Sequence, residues 1–185
     1  MPIRTKNAFL TCSLLLLSSA ASAQGYLGIA IGSAQQKIDC SGTVSCDTKD
    51  KGRKLYGGYK LSSIVALELS YIDFGQVNFQ IGDVVLRYTA GSTSIGGAVF
   101  LPLLSRLTGV ARLGVSSSKA EVSDSRDNFY ASTSQTHTNP YIGLGLGFSI
   151  TPTLSLTGSF DRARIKFNGA SATSTLLAVG VSQAF

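Results

Sequence analysis

The chain has 185 residues, of which 16 are basic and 10 acidic, and its formal net charge at pH 7 is +6. Only 14% of the residues are charged while 44% are hydrophobic, whereas a soluble domain typically has about 25% charged residues. The composition excludes a disordered tail and a highly charged coiled coil, and the length excludes an enzyme of several domains. Three cysteines and one histidine leave little for a disulfide scaffold or a zinc site, and we expect no cofactor.

The first 23 residues are typical of a secretory signal peptide. Arg4 and Lys6 give a positive start, a leucine-rich stretch follows, and a small-x-small cleavage pattern ends at Ala23. The apolar stretch is shorter than the roughly 20 residues that a transmembrane helix needs. We therefore expect Sec-type export and cleavage near Ala23, which leaves residues 24–185 as the mature domain.

After the leader, large apolar side chains alternate with small or polar ones. In residues 142–150, isoleucine, leucine and phenylalanine alternate with glycine and serine, which indicates a strand with one apolar face and one small face. The pattern recurs in about eight segments of about 10 residues each, the length of a tilted strand that crosses a membrane.

Short and long connections alternate between these segments. The short connections are residues 62–63, 102–106 and 151–153, and the long polar ones are residues 34–53, 75–87, 116–139 and 162–173. Short periplasmic turns and long outward loops are typical of outer-membrane barrels. The sequence therefore predicts an all-β fold, an eight-stranded antiparallel up-and-down transmembrane β-barrel in the bacterial outer membrane.

The small face of the strands carries glycine, alanine, serine and threonine with a few charges. A soluble lipid-carrying barrel would line its cavity with apolar side chains instead, so we expect the large apolar face to meet lipid and the small face to fill a narrow interior. A charge enclosed there is costly unless it is paired. We expect an interior salt-bridge network drawn from Glu68, Arg112, Lys54, Lys60 and Asp161.

Several motifs follow one another in order along the mature chain. Residues 54–61 read KLYGGYKL, residues 66–75 read ALELSYIDFG, residues 101–103 read LPL, residues 112–114 read RLG, residues 143–147 read GLGLG, residues 151–156 read TPTLSL and residues 161–162 read DR. Together they resemble strands two to seven of small outer-membrane barrels like the transmembrane domain of outer-membrane protein A.

This resemblance implies the eight-stranded barrel and an interior charge network that is sometimes discussed as a gate. It also implies that the barrel-insertion machinery reads the last strand, with Gln183 where an apolar residue is usual; the matching residues are Leu177, Val179, Val181 and Phe185. No peptidoglycan-binding domain is expected after the barrel, so wall anchoring is not implied.

The first long connection holds two further candidate sites. Cys40 and Cys46 suit a small loop disulfide in an exported protein, and the alternative, a metal site, lacks further ligands nearby. Lys49, Lys51 and Arg53 follow, either as contacts to lipopolysaccharide phosphates or an anionic host polymer, or as part of an ordinary solvated loop.

His137 is the single histidine and lies in the third long connection. Some small outer-membrane barrels are lipid A hydrolases or acyltransferases that use a histidine and a serine, but no catalytic motif accompanies His137 here, and we expect no enzyme. Five aromatic residues are interpreted as interfacial or lipid-facing: Tyr26, Tyr59, Tyr71, Tyr141 and Phe160.

The sequence thus favours a non-enzymatic role in membrane integrity, or in surface interaction such as adhesion or immune evasion. Residues 35–53 and 117–139 are the loops expected to make contacts, since they are the longest and are polar. The alternatives are passage of a small solute and a lipid A-modifying enzyme. The expected partners are outer-membrane lipid, lipopolysaccharide, the barrel-insertion machinery and host surface molecules, but not nucleic acid.

Overall fold

The computed structural model describes residues 24–37, 45–46, 48–81, 84–124, 132–167 and 170–185. Within these ranges the chain forms eight long strands: β1 (Gly25–Lys37), β2 (Lys49–Lys60), β3 (Val65–Ile81), β4 (Val84–Pro102), β5 (Leu107–Asp124), β6 (Ser132–Ser149), β7 (Leu154–Phe167) and β8 (Ala170–Ala184). A two-residue strand, Ser45–Cys46, pairs with β3. No helix in the described part of the chain is long and apolar enough to cross a membrane.

The eight strands close into a barrel. Each strand pairs antiparallel with the next one in the sequence, and β8 returns to pair with β1. The Gly25 and Phe185 backbones exchange hydrogen bonds of 3.2 and 3.0 Å at the end of this last pairing. A closed sheet leaves no edge of unpaired N–H and C=O groups, which lipid could not hydrogen-bond. The predicted eight-stranded antiparallel barrel is confirmed.

Tight turns lie at one end of the barrel, which we call the turn end. They join strands through residues 61–64, 103–106 and 150–153. Two of them are braced by side chains, because the Ser62 hydroxyl accepts the Val65 N–H at 3.1 Å and the Thr151 hydroxyl accepts the Leu154 N–H at 2.9 Å. The opposite end, where the chain leaves β1, β3, β5 and β7, is called the loop end.

The strands are longer than the sequence pattern indicated. Instead of about 10 residues, β4 has 19 residues and β5 has 18. The expected long connections at residues 75–87 and 162–173 are mostly strand, since only residues 82–83 and 168–169 separate the paired strands there. The alternation of apolar and polar residues ends where neither face of a strand contacts lipid. The backbone hydrogen bonds between neighbouring strands continue beyond that point.

A bulge interrupts β3 at the loop end. The pairing with β4 shifts between Asp73 and Gln76, and Gly75 between them has φ of +74°, which suits glycine. The Asp50 carboxylate accepts the Gln76 and Lys51 N–H groups, each at 2.7 Å. These backbone hydrogen bonds, that of Gln76 first, hold the pKa of the Asp50 carboxyl below its usual range.

The outer wall is a continuous belt of large apolar side chains. Ile31 and Leu113 are both 67% exposed, and comparable residues follow on every strand. In water such a surface would favour aggregation, whereas acyl chains of a bilayer match it. The belt therefore faces lipid, and the small and polar side chains fill the interior.

Candidate functional site in the barrel interior

Four of the five expected interior charges lie together inside the barrel. Lys54 on β2, Glu68 on β3, Arg112 on β5 and Asp161 on β7 are at most 6% exposed. They reach the same region because each occupies the inward phase of its strand. Each also has a glycine or alanine opposite it on a neighbouring strand, namely Ala30, Gly58, Ala98 and Gly143, respectively.

The four charges form two ion pairs. Lys54 Nζ lies 2.7 Å from Asp161 Oδ1, and Arg112 Nε donates to Glu68 Oε1 at 2.7 Å. Two cations and two carboxylates make this network neutral. Enclosed charges are tolerated when they are paired and hydrogen-bonded in this way.

Two tyrosines complete the hydrogen bonding of the carboxylates. Tyr26 donates its hydroxyl to Glu68 Oε2 at 2.8 Å, and Tyr141 donates to Asp161 Oδ1. Ser159 donates to Asp161 Oδ2 at 2.9 Å. Both oxygens of each carboxylate therefore accept a hydrogen bond.

The lipid-facing interpretation was wrong for Tyr26 and Tyr141. Both are buried inside the barrel, whereas Tyr59, Tyr71 and Phe160 are exposed on the outer wall as expected. Tyr26 shares the inward phase of Ala30, and Tyr141 shares that of Gly143. Strand phase, rather than the preference of aromatic residues for membrane interfaces, decides the direction of these two side chains.

A layer of aromatic rings lies beside the charge network on its turn-end side. The ring centroid of Tyr56 is 5.1 Å from Lys54 Nζ and 5.2 Å from Arg112 Cζ, so both cations contact its π face. The Tyr26 ring packs edge-on against Tyr56 at 6.4 Å and against Phe100 at 5.6 Å. Sequence reasoning assigned no role to Tyr56, although its inward phase was readable.

The interior is also filled on the loop-end side of the network. The hydroxyls of Ser70 and Ser94 lie 2.7 Å apart. Three fully buried apolar side chains follow toward the loop end: Ile72, Phe74 and Leu176. The loop-end part of the described interior is thus packed with side chains, as expected for a narrow barrel of eight strands.

Lys60 lies apart from the network, contrary to the expectation that it could join it. Its Nζ is 5.3 Å from the ring centroid of Phe100, and it makes no ion pair with the described residues. Lys60 ends β2, six residues beyond Lys54, and about 3.3 Å per residue places it roughly 20 Å away along the strand. It lines a cavity of about 450 Å³ at the turn end instead.

The expected anion contacts on β2 lie at the loop end of the outer wall. Lys49, Lys51 and Arg53 are all exposed. Arg53 is the first outward residue beyond the apolar belt on its strand, and Arg162 has the same position on β7. Sequence reasoning missed Arg162 as a contact, although its place one outward step after Phe160 was readable.

Some expected sites lie outside the described residues. These are Cys40, the side chains of Cys46 and His137, and the acidic and serine side chains around His137. The disulfide therefore stays a prediction. Three residues of the expected insertion signal, Leu177, Val179 and Val181, form the exposed face of β8 together with Gln183, and the fourth, Phe185, is exposed directly after β8.

Comparison with known proteins gives a family and a fold. A family model for the OmpA-like transmembrane domain matches residues 20–182, whereas no curated protein matches the chain. Neisserial surface protein A (NspA) has a solved structure that is 14% identical, with a TM-score of 0.62 over 87% of this chain and 97% of that one.

Two further barrels with solved structures are similar to this chain in fold. Ail, the attachment invasion locus protein of Yersinia pestis, in complex with the heparin analogue sucrose octasulfate, is 20% identical, with a TM-score of 0.54 over 86% of this chain and 99% of that one. The N-terminal β-barrel domain of Pseudomonas aeruginosa OprF is 17% identical, with a TM-score of 0.53 over 88% and 99%. These similarities show the fold alone.

Proposed function

Since this chain belongs to the OmpA-like transmembrane domain family, we propose that it is a non-enzymatic surface protein whose outward end binds anionic glycans. The chain is a β-barrel of the bacterial outer membrane. The proposal adds which surface acts and what that surface binds. Adhesion and immune evasion are both roles that such binding can serve.

One observation carries the proposal: side chains block the interior of the barrel, whereas its strands extend beyond the lipid at the loop end. The paired charges, the aromatic layer and the buried apolar residues occupy the middle and the loop-end part of the interior, which leaves no room for a wide channel through the barrel. About 9–11 residues suffice for a strand to cross the membrane, so roughly eight residues of β4 extend past the lipid belt at the loop end. The surface offered to partners is this protruding end.

The charge of that end favours polyanions. Lys51, Arg53 and Arg162 are exposed at or just beyond the edge of the apolar belt, where phosphates of lipopolysaccharide or sulfates of a host polymer would meet them. Ail, which shares the fold, was crystallised with a heparin analogue, and this supports the choice of ligand class. Residues 35–53 and 117–139 remain the proposed contact segments.

Binding of the protein in zwitterionic nanodiscs to heparin and to lipopolysaccharide tests the proposal. A cation near an anionic surface contributes about 1 kcal/mol, which is about fivefold in affinity. Arg53→Ser is expected to weaken binding by about this factor, and Lys51→Ser combined with Arg53→Ser is expected to weaken it further. The two ligands separate a host polymer from phosphates of the bacterium's own membrane.

Arg106→Ser is the matched control, because it removes one exposed arginine from the turn end and should leave affinity unchanged. Equal weakening by Arg53→Ser and Arg106→Ser would mean that binding follows net charge alone. That result, or the absence of binding to both ligands, would overturn the proposal.

Passage of a small solute is the alternative function, and planar bilayers test it. Neither the unchanged barrel nor Glu68→Ala is expected to give steady open channels, because Tyr26, Tyr56 and Phe74 fill the interior in both. Lys60→Gln, which changes a cavity charge outside the network, is the control. Steady conductance that changes with Glu68→Ala but not with Lys60→Gln would establish a gated pore instead.

A further inference from the structure

We propose that the turn-end cavity is a binding site for a small soluble oxyanion, with inorganic phosphate as the simplest example. This goes beyond the outward-facing function proposed above. The cavity has a volume of about 450 Å³, within the range of small-ligand pockets. Its lining includes the turn residues Ser63 and Pro152 and the last residue of β4, Pro102, whereas Tyr56 and Arg112 line it from deeper in the barrel.

The charge of the cavity favours an anion. The network deeper in the barrel is neutral, since Lys54 pairs with Asp161 and Arg112 with Glu68. Lys60 therefore adds a positive charge to the cavity that no described carboxylate balances through an ion pair. None of the residues that line the cavity is an aspartate or glutamate, so its potential favours an anion.

One buried hydrogen-bond donor of a residue that lines the cavity has no partner in the described part of the chain. Arg112 is 6% exposed, and its Nε is engaged by Glu68, but its Nη1 has no hydrogen-bond partner among the described residues. A buried guanidinium donor without an acceptor is unfavourable. Arg112 and Lys60 both line the cavity, so an oxyanion held there would be attracted by both cations. Hydroxyls also line the wall: Thr108, Ser149, Ser155, Thr157 and Ser182.

The closed wall of the barrel favours a soluble ligand over a lipid. Every neighbouring pair of barrel strands is hydrogen-bonded, including β8 with β1, so there is no lateral gap through which a lipid headgroup could enter. The cavity is lined by residues of two turns, Ser63, Ile64, Pro152 and Thr153, which leaves the turn end as the route of entry. A soluble oxyanion can take this route, and the packed loop-end interior stops it from passing through.

The test is a phosphate titration of the mature barrel, folded in an uncharged sugar detergent and followed by backbone amide NMR. Saturable shifts are expected at residues that line the cavity, such as Thr108 and Ser182, and not at the loop end. Lys60→Gln is expected to weaken phosphate binding about tenfold, as loss of a charge-assisted hydrogen bond would. Lys60→Glu should abolish binding.

Arg106→Gln is the matched control, because it removes an exposed cation from a turn outside the cavity lining and should leave phosphate binding unchanged. Heat-modifiable mobility on gels verifies that each variant is folded. An absence of saturable shifts, or equal weakening by Lys60→Gln and Arg106→Gln, would overturn the proposal. The same shifts in phosphatidylglycerol nanodiscs, in a buffer without inorganic phosphate, would also overturn it, because a lipid headgroup would then be the ligand.

Discussion

Replacing Asp161 with alanine is expected to lower the free energy of unfolding by about 3–5 kcal/mol, because it leaves a charge enclosed without a partner. Lys54 and Asp161 are both fully buried as side chains. Asp161 also accepts hydrogen bonds from Tyr141 and Ser159, and both donors would lose their acceptor. The chain has no tryptophan, so urea unfolding in detergent micelles is followed by far-UV circular dichroism and gel mobility.

A double variant separates the enclosed charge from the loss of packing. Lys54→Met combined with Asp161→Leu removes both charges and fills the same space with apolar side chains. This double variant is expected to lower the free energy of unfolding clearly less than Asp161→Ala alone. Lys54→Met alone should be costly, because it leaves the carboxylate enclosed. A loss below about 1 kcal/mol for Asp161→Ala, typical of an exposed pair, would contradict the prediction.

Replacing Gly180 with valine is expected to prevent most of the chain from closing into a barrel. Gly180 faces Ala30 across the β1–β8 pairing. A Cβ at Gly180 would lie 2.6 Å from the Ala30 Cα and closer still to the carbonyl oxygen of Ile29. These are backbone atoms, so the strands themselves would have to separate, at a cost of about 3 kcal/mol or more. The folded fraction after refolding, read from gel mobility, measures the effect.

Gly158→Val is the matched control for Gly180→Val. A Cβ at Gly158 meets nothing within 4 Å, and the residue shares the outward phase of Leu156 and Phe160 on β7. The same glycine-to-valine change should therefore fold as the unchanged chain does. If both variants folded equally well, or failed equally, the close approach of β1 and β8 would not be what limits closure.

The fold could be predicted from sequence because the architecture of a membrane barrel depends on patterns of residues that are close together in the chain. Alternation of period two fixes which side chains share a face, and lipid makes the apolar face the outer one. The inward position of Lys54, Glu68, Arg112 and Asp161 follows from the same phase. Phase also places Tyr26 and Tyr141 inside, because position on the strand outweighs the preference of tyrosine for membrane interfaces. Beyond the belt the alternation of apolar and polar residues ends, so the sequence pattern does not reveal the strand residues within 75–87.

The order of strands, their crossing of lipid and the phase of each side chain were determined by the sequence alone, because each depends on residues near one another in the chain. Only the tertiary structure decided the partners. Lys54 and Asp161 are 107 positions apart in the chain, and Glu68 and Arg112 are 44 positions apart. The stagger of the strands around the closed barrel determines which inward side chains lie at the same height along the barrel axis. The same stagger left Lys60 outside the network, beside the cavity at the turn end.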